Sequence, residues 1–327
     1  MVSSVAAQES PEGKPEGPPI PAIPGVPSMR VTAPTFKPSP ATTTGSAMPR
    51  QGTAAPVKAE RLRPEFQPGL TYRFVVKTEL RTGGRSFAME QQARFDAKVR
   101  VDGKPGIVLK GRTERLDATL SSGGATLSYR SLEPGDQGTP LGKHLRVSLN
   151  RSVDLTLDAK GRVDGSQVAG GGDESALLPG MPSFGPEELE QIVAGLPQAF
   201  SEKPVAPGDQ WTVQGSRPVG EAGLVEFEIA CRHVGQVAFE GHLCDAVEFA
   251  GVLSGALPNG GAAAEIESGG IEGRLHYDPL DRMVRHSEQT SQLVVARPAE
   301  GGDPGQVERL PIHQTSTLRL LHVVPTP

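Results

Sequence analysis

The sequence predicts a mainly β protein with antiparallel sheets, arranged as two related β units bridged by one short helix behind a disordered N-terminal arm. Three observations predict it. Glycine and proline together supply 71 of the 327 residues and aromatics only 4%, which favours many turns and short elements over long helices. The stretch from Phe87 to Val101 alternates apolar and polar residues with a period of two. Proline crowds the start of the chain, with 13 of the 31 prolines inside residues 1–64.

The arm is read as residues 1–65. Phe36 is the only aromatic in its first 64 residues. Such a segment cannot offset its ordering entropy by apolar burial, and runs such as Pro18-Pro19-Ile20-Pro21 favour an extended, semi-rigid spacer. Two roles stay open for it, a passive linker and a docking segment for a protein partner. Its seven Lys or Arg against five Asp or Glu leave the body at -7 out of a total of -5. A mildly acidic body argues against nucleic acid as the partner. The chain has no run of 18 apolar residues, so no transmembrane segment is expected. The start, Met1 to Gln8, lacks the basic and apolar regions of a signal peptide, yet Val5-Ala6-Ala7 resembles the small-residue end of one. That points to an exported protein with a truncated signal peptide; the alternative is a cytoplasmic protein with a flexible start.

The first β unit is assigned to residues 66–168. From Phe87 onward, Met89, Ala93, Phe95, Ala97, Val99 and Val101 mark one face, interrupted only by Gln91, while Glu90, Gln92, Arg94, Asp96, Lys98 and Arg100 mark the other. Successive strand side chains point to opposite faces, so this pattern gives a strand with one buried and one wet side. Shorter runs at Leu145, Val147 and Leu149, and at Val153, Leu155 and Leu157, predict further strands. Turn chemistry separates them at Asp102-Gly103, Pro134-Gly135-Asp136 and Asp158 to Gly161.

Residues 169–203 are a linker carrying a helix at about 186–197. Leu189, Ile192, Val193 and Leu196 fall at i, i+3, i+4 and i+7, behind Pro186 and two glutamates that suit a helix start, and Pro197 stops the pattern. The second β unit, 204–327, has strand runs at Val225, Phe227 and Ile229 and at Leu318 and Leu320, with a turn at Asn259-Gly260-Gly261. The units share signatures. Pro68-Gly69 followed by Tyr72 and Phe74 matches Pro207-Gly208 followed by Trp211 and Val213, and Leu155 to Asp158 with Arg162 matches Leu275 to Asp278 with Arg282, 120 residues on.

In the second unit, Pro204-Val205-Ala206-Pro207-Gly208-Asp209-Gln210-Trp211 and the later Gly273-Arg274-Leu275-His276-Tyr277-Asp278 resemble motifs of a family of uncharacterised bacterial exported proteins and lipoproteins. The resemblance implies a periplasmic, cell-envelope or secreted protein, a curved half-barrel-like sheet of the kind found in lipoprotein carriers, and no assigned activity. It departs from the lipoprotein members in having no lipobox cysteine near its start.

Four residues form a symmetric arrangement, Cys231, His233, His242 and Cys244. A hairpin turning near residues 237 and 238 would set Cys231 opposite Cys244 and His233 opposite His242, fit for a disulfide or a Cys2His2 metal site. Glu240-Gly241 is the better turn and would misalign them, leaving free thiols as the third alternative. Trp211, the only Trp, and Gly208 are read as structural anchors. The paired carboxylates Glu187-Glu188, Glu226 with Glu228, and Glu265 with Glu267 each have a plain explanation as a helix start or outward strand positions. No nucleophile elbow, metalloprotease motif or P-loop is present, Gly170-Gly171-Gly172 reads as loop, and Glu300 to Gly305 has too few carboxylates for calcium. The expectation is a non-enzymatic module without cofactor, binding an apolar or amphipathic ligand or a protein partner.

Overall fold

The computed structural model describes residues 59–149, 151–169, 186–218, 224–257, 264–298 and 306–326. The arm up to residue 58, and the loops at 170–172, 259–261 and 300–305, lie outside the described residues.

The first half of the body contributes β1 (Leu70–Thr82), β2 (Arg85–Val99), β3 (Ile107–Ser122), β4 (Ala125–Arg130), α1 (Pro140–Leu149), β5 (Ser152–Leu157) and β6 (Val163–Ala169). Then come α2 (Pro186–Gly195), β7 (Gln210–Pro218), β8 (Leu224–Phe239), β9 (His242–Ser254), β10 (Ala256–Leu257), β11 (Ala264–Asp278), β12 (Met283–Pro298) and β13 (Val307–Pro325). All thirteen strands join one antiparallel sheet in the order β6-β5-β3-β2-β1-β13-β12-β11-β9-β8-β7, with β4 added on β3 and β10 on β11. The sheet is open and curled. Both halves are therefore meanders with the same neighbour order, β1-β2-β3-β5-β6 and β7-β8-β9-β11-β12, and β13 stitches β12 to β1. The matched signatures occupy matched places: Gly69 and Gly208 both take positive φ, at 84° and 93°, just ahead of β1 and β7. Asp158 and Asp278 both cap the turns that follow their strands by accepting backbone N–H groups.

One main core runs along the inner face of both halves. Tyr72, Phe74, Phe95, Leu109, Leu155, Val247, Leu275 and Leu320 belong to it, as do Leu189, Ile192 and Val193 of α2 and Leu196 in the turn just beyond it. The predicted helix stripe is thus buried against the sheet, as a short helix needs for stability. Two satellite clusters flank it, one around Phe87, Leu116, Tyr129, Leu141 and Leu145, the other around Val225, Leu253, Ile266, Leu293 and Val295.

Three expectations are corrected. The run Leu145, Val147 and Leu149 is not a strand but the end of α1. Thr139 caps that helix by accepting the Gly142 N–H at 3.0 Å, Pro140 suits its first turn, and the buried pair Leu141 and Leu145 is spaced i, i+4. In β2 the buried face ends at Ala97; Val99 and Val101 are 67% and 98% exposed because the strand passes the edge of the core there. Gln91, the interruption, faces inward and donates to Thr113 Oγ1 at 2.7 Å. Finally, residues 59–65 do not belong to a solvent-exposed arm. Leu62 is 2% exposed and Glu60 pairs with Val205 through two backbone hydrogen bonds of 3.0 and 2.8 Å. Arg63 donates to Ala159 O at 2.8 Å and accepts the Tyr277 hydroxyl at 2.9 Å, while the Glu65 N–H reaches Arg282 O at 2.8 Å. This strap ties the turn after β5 to its counterpart after β11.

Candidate functional site

The inner face beyond the main core is where a ligand would meet the sheet. Its rows are read from the register. One row runs Leu80, Gln314, Ser291, Ile271, Gly251, with Phe87 and Leu120 on the other side of Leu80. The next runs Thr78, Ser316, Gln289, Gly273, Phe249, with Met89 and Ala118 on the other side. Apart from Leu80, the three central strands β1, β13 and β12 thus present hydroxyls and amides, and apolar side chains stand on either side. The Thr78 and Ser316 hydroxyls lie 3.5 Å apart. Neither row contains a charged side chain. The convex face carries charge pairs such as Arg73–Glu114 at 3.0 Å, Lys77–Glu90 at 3.0 Å and Arg232–Glu248 at 2.6 Å.

Glycines let aromatic rings lie flat on this inner face. A Cβ at Gly273 would stand 2.4 Å from Phe249 Cζ and 2.3 Å from Glu288 O. At Gly111 and Gly215 the rings of Phe95 and Phe227 occupy the same kind of space.

The cysteine and histidine set is dispersed. The β8–β9 hairpin turns on Glu240 and Gly241, both with positive φ, the backbone that a two-residue hairpin requires. Cys231 consequently faces Phe249 across the strands, and Cys244 faces Val237. Six residues of β8 separate those positions, about 20 Å of strand, so the candidate disulfide is not formed and both cysteines are free. His233 and His242 part for the same reason, helped by a bulge between His233 and Gly235. Among the described residues no group of three or more His, Cys, Asp or Glu is set to hold a metal. Burial pushes the Cys231 thiol up to about 12 and, aided by Asp278, the Cys244 thiol up to about 11; both are inert as nucleophiles at neutral pH.

His233 instead pairs with Asp245, Nε2 to Oδ1 at 3.0 Å, with both side chains buried. The bulge brings them together, so sequence spacing did not announce the pair. His242 lies 3.0 Å from Asp278, which also binds Arg285 at 2.8 Å. Burial works to raise the Asp278 pKa, but hydrogen bonds from Arg285 and from the Leu280 and Asp281 N–H groups prevail and hold it below the usual value.

Trp211 packs half-buried against the main core opposite Cys231, with its indole N–H buried and without a partner. The Gly208 N–H donates to His233 O at 2.8 Å, closing the turn ahead of β7. Of the carboxylates, Glu226 and Glu228 lie exposed on β8, and Glu267 forms two hydrogen bonds with Arg309, of 2.7 and 3.0 Å. The Glu187 side chain lies outside the described residues.

No protein-family model and no curated protein matches the chain. Among solved structures, lipovitellin, studied for its lipid–protein interactions, matches with a TM-score of 0.43 at 12% identity over 80% of this chain. The chain spans about a quarter of lipovitellin, 26% of its length. A Bacteroides fragilis protein with a YMCC-like fold, inferred to be exported, matches with a TM-score of 0.26 at 10% identity, over 82% of this chain and all of that one. An outer membrane channel from Pseudomonas putida matches with a TM-score of 0.16 at 8% identity, over 79% of this chain and 97% of that one. At these scores and identities the matches carry nothing about ligand or activity. No described helix is long and apolar enough to cross a membrane.

Proposed function

We propose that the protein is an exported binding module that holds an apolar or amphipathic molecule on the inner face of its curled sheet. The observation that carries the reading is the chemistry of that face. Two successive rows, through Leu80 and Thr78, are free of charge, polar at the centre and apolar at the flanks. The partly exposed Leu80, Met89, Leu120 and Ile271 can bury hydrocarbon by the hydrophobic effect, and a floor of Thr78, Ser316, Gln289 and Gln314 offers neutral hydrogen-bond partners to a head group without the cost of burying a charge. Concave, mostly apolar surfaces with a few placed polar groups are the usual form of a small-molecule site. Binding is favoured over catalysis because the inward titratable groups nearest these rows, Cys231 and the His233–Asp245 pair, are buried in the core rather than presented to a ligand.

Native mass spectrometry on protein from its own host's envelope fraction tests both parts of the proposal. The expected result is recovery in that fraction with a bound mass that is lost on denaturation. Thr78→Arg and Ser316→Arg should each weaken rebinding of the extracted molecule at least tenfold, with the convex-face Thr317→Arg as control. Recovery from the cytoplasm would overturn the export reading, and equal binding by all three variants would overturn the assignment to this face.

A further inference from the structure

On the convex face, β11 and β12 set His276 directly opposite His286. Their ring centroids are 5.9 Å apart and the planes are tilted by 32°. Phe239, the last residue of β8, stacks on both rings, at 4.4 Å and 15° from His276 and at 5.1 Å and 21° from His286. A single phenyl ring thus holds two imidazoles side by side. For a ligating histidine that orienting work usually falls to a hydrogen bond on its other nitrogen. No such bond is made here, and both Nδ1 atoms are buried without a partner, an arrangement that costs desolvation as long as nothing fills it.

The spacing suits one ion. With metal–nitrogen bonds of about 2.0–2.1 Å, two imidazoles on one transition metal have centroids roughly 4.5–6.5 Å apart, depending on the angle at the metal. Of the nearby cations, Arg319 pairs with Glu240 at 2.8 Å and Arg285 with Asp278 at 2.8 Å, while Arg274 reaches Glu248 only at 4.0 Å.

We propose that His276 and His286 form a two-histidine site for a divalent transition-metal ion, Cu2+ before Ni2+ or Zn2+, with water completing the coordination. Imidazole suits all three ions, and the order of intrinsic affinities places Cu2+ first. The site is distinct from the Cys231, His233, His242 and Cys244 set that the sequence suggested, and it lies on the opposite face from the ligand rows.

Titrating the full chain with CuSO4 by calorimetry, followed by electron paramagnetic resonance, tests it. The expected result is one equivalent of Cu2+ with hyperfine coupling to two nitrogens. His276→Gln and His286→Gln should each weaken binding at least tenfold, while His313→Gln and His322→Gln change it less than twofold. Should a Gln variant fail to fold, the wild-type histidine resonances decide: substoichiometric Cu2+ should broaden the signals of His276 and His286 before those of the other five histidines. Unchanged affinity in both folded Gln variants, or first broadening elsewhere, would overturn the proposal.

Discussion

Truncating Leu62 to alanine measures whether the strap belongs to the folded body. The side chain is 2% exposed and sits in the main core with Tyr72, Val205 and Tyr277 among its members. Removing a fully buried leucine side chain costs its transfer free energy plus that of the cavity left behind, about 2–5 kcal/mol for Leu→Ala. The strap sits at the rim of the core and has room to relax, which places the expectation near the lower end, about 2–3 kcal/mol. For a body of this size that corresponds to a fall in Tm of roughly 4–12 °C. Urea unfolding of Leu62→Ala beside Arg61→Ala, a change at an exposed neighbour, isolates the effect. The midpoint should drop for the first variant and stay within error for the second, at an unchanged slope. A loss below about 0.5 kcal/mol, the range of an ordinary surface substitution, would show that Leu62 contributes nothing to the core and would refute the reasoning.

Gly273→Ala should destabilise by roughly 1–3 kcal/mol through overpacking, because its Cβ would meet Glu288 O at 2.3 Å as well as the Phe249 ring; denaturant titration checks this, and wild-type stability would contradict it. Cys231 and Cys244, buried and with pKa values of about 12 and 11, should resist iodoacetamide at pH 8 in the native protein and react fully in urea. Intact mass resolves the two states, and rapid native alkylation of either thiol would argue against the burial. Asp278 has a folded-state pKa below its unfolded value of 3.8, so its contribution is present above that value and lost as pH falls through the lower folded-state pKa. Asp278→Asn should therefore lower stability at pH 7, with the difference from wild type shrinking below about pH 4; a difference that grew with acid would contradict the assignment.

Much of the sheet was legible because one face of each strand is buried and the other is wet. Phe87, Ala93, Phe95 and Ala97 of β2, the run Val153, Leu155 and Leu157, and the helix stripe Leu189, Ile192, Val193 and Leu196 all reappear as buried positions. The misses have particular causes. Leu145, Val147 and Leu149 alternate as a strand would, and only the Thr139 cap and the spacing of Leu141 from Leu145 distinguish the helix. Leu62 is a lone apolar residue in a proline-rich context, and its burial goes with the pairing of its neighbours Glu60 and Arg63 to Val205 and Tyr277, far away in sequence. The site was harder still. The inner rows through Thr78 and Leu80 draw on strands more than 200 residues apart, and a bulge after His233 decides which residues face each other. Single residues that shift a register leave little trace in composition or period.

The neighbour order of the sheet has a consequence for how the molecule assembles. Every adjacent pair of main-path strands is close in sequence except one, the seam of β1 with β13, whose paired residues lie 255 positions apart at Leu70 and Pro325. Local hairpins close cheaply and distant pairings late, since the loop entropy of the whole intervening chain has to be overcome first. Each meander can therefore form on its own side while the seam waits for both, and until it closes, two long strand edges stand open in the middle of what will become the binding face. A permuted chain starting at β7 and ending at β6 would cut the separation of Leu70 and Pro325 from 255 positions to 72, through residues 1–69, and it should refold faster than the natural order; equal rates would place the slow step elsewhere. In the natural order, the central strands that carry Thr78 and Ser316 meet last, so a molecule that binds across them would also act as a clasp on the final step of folding.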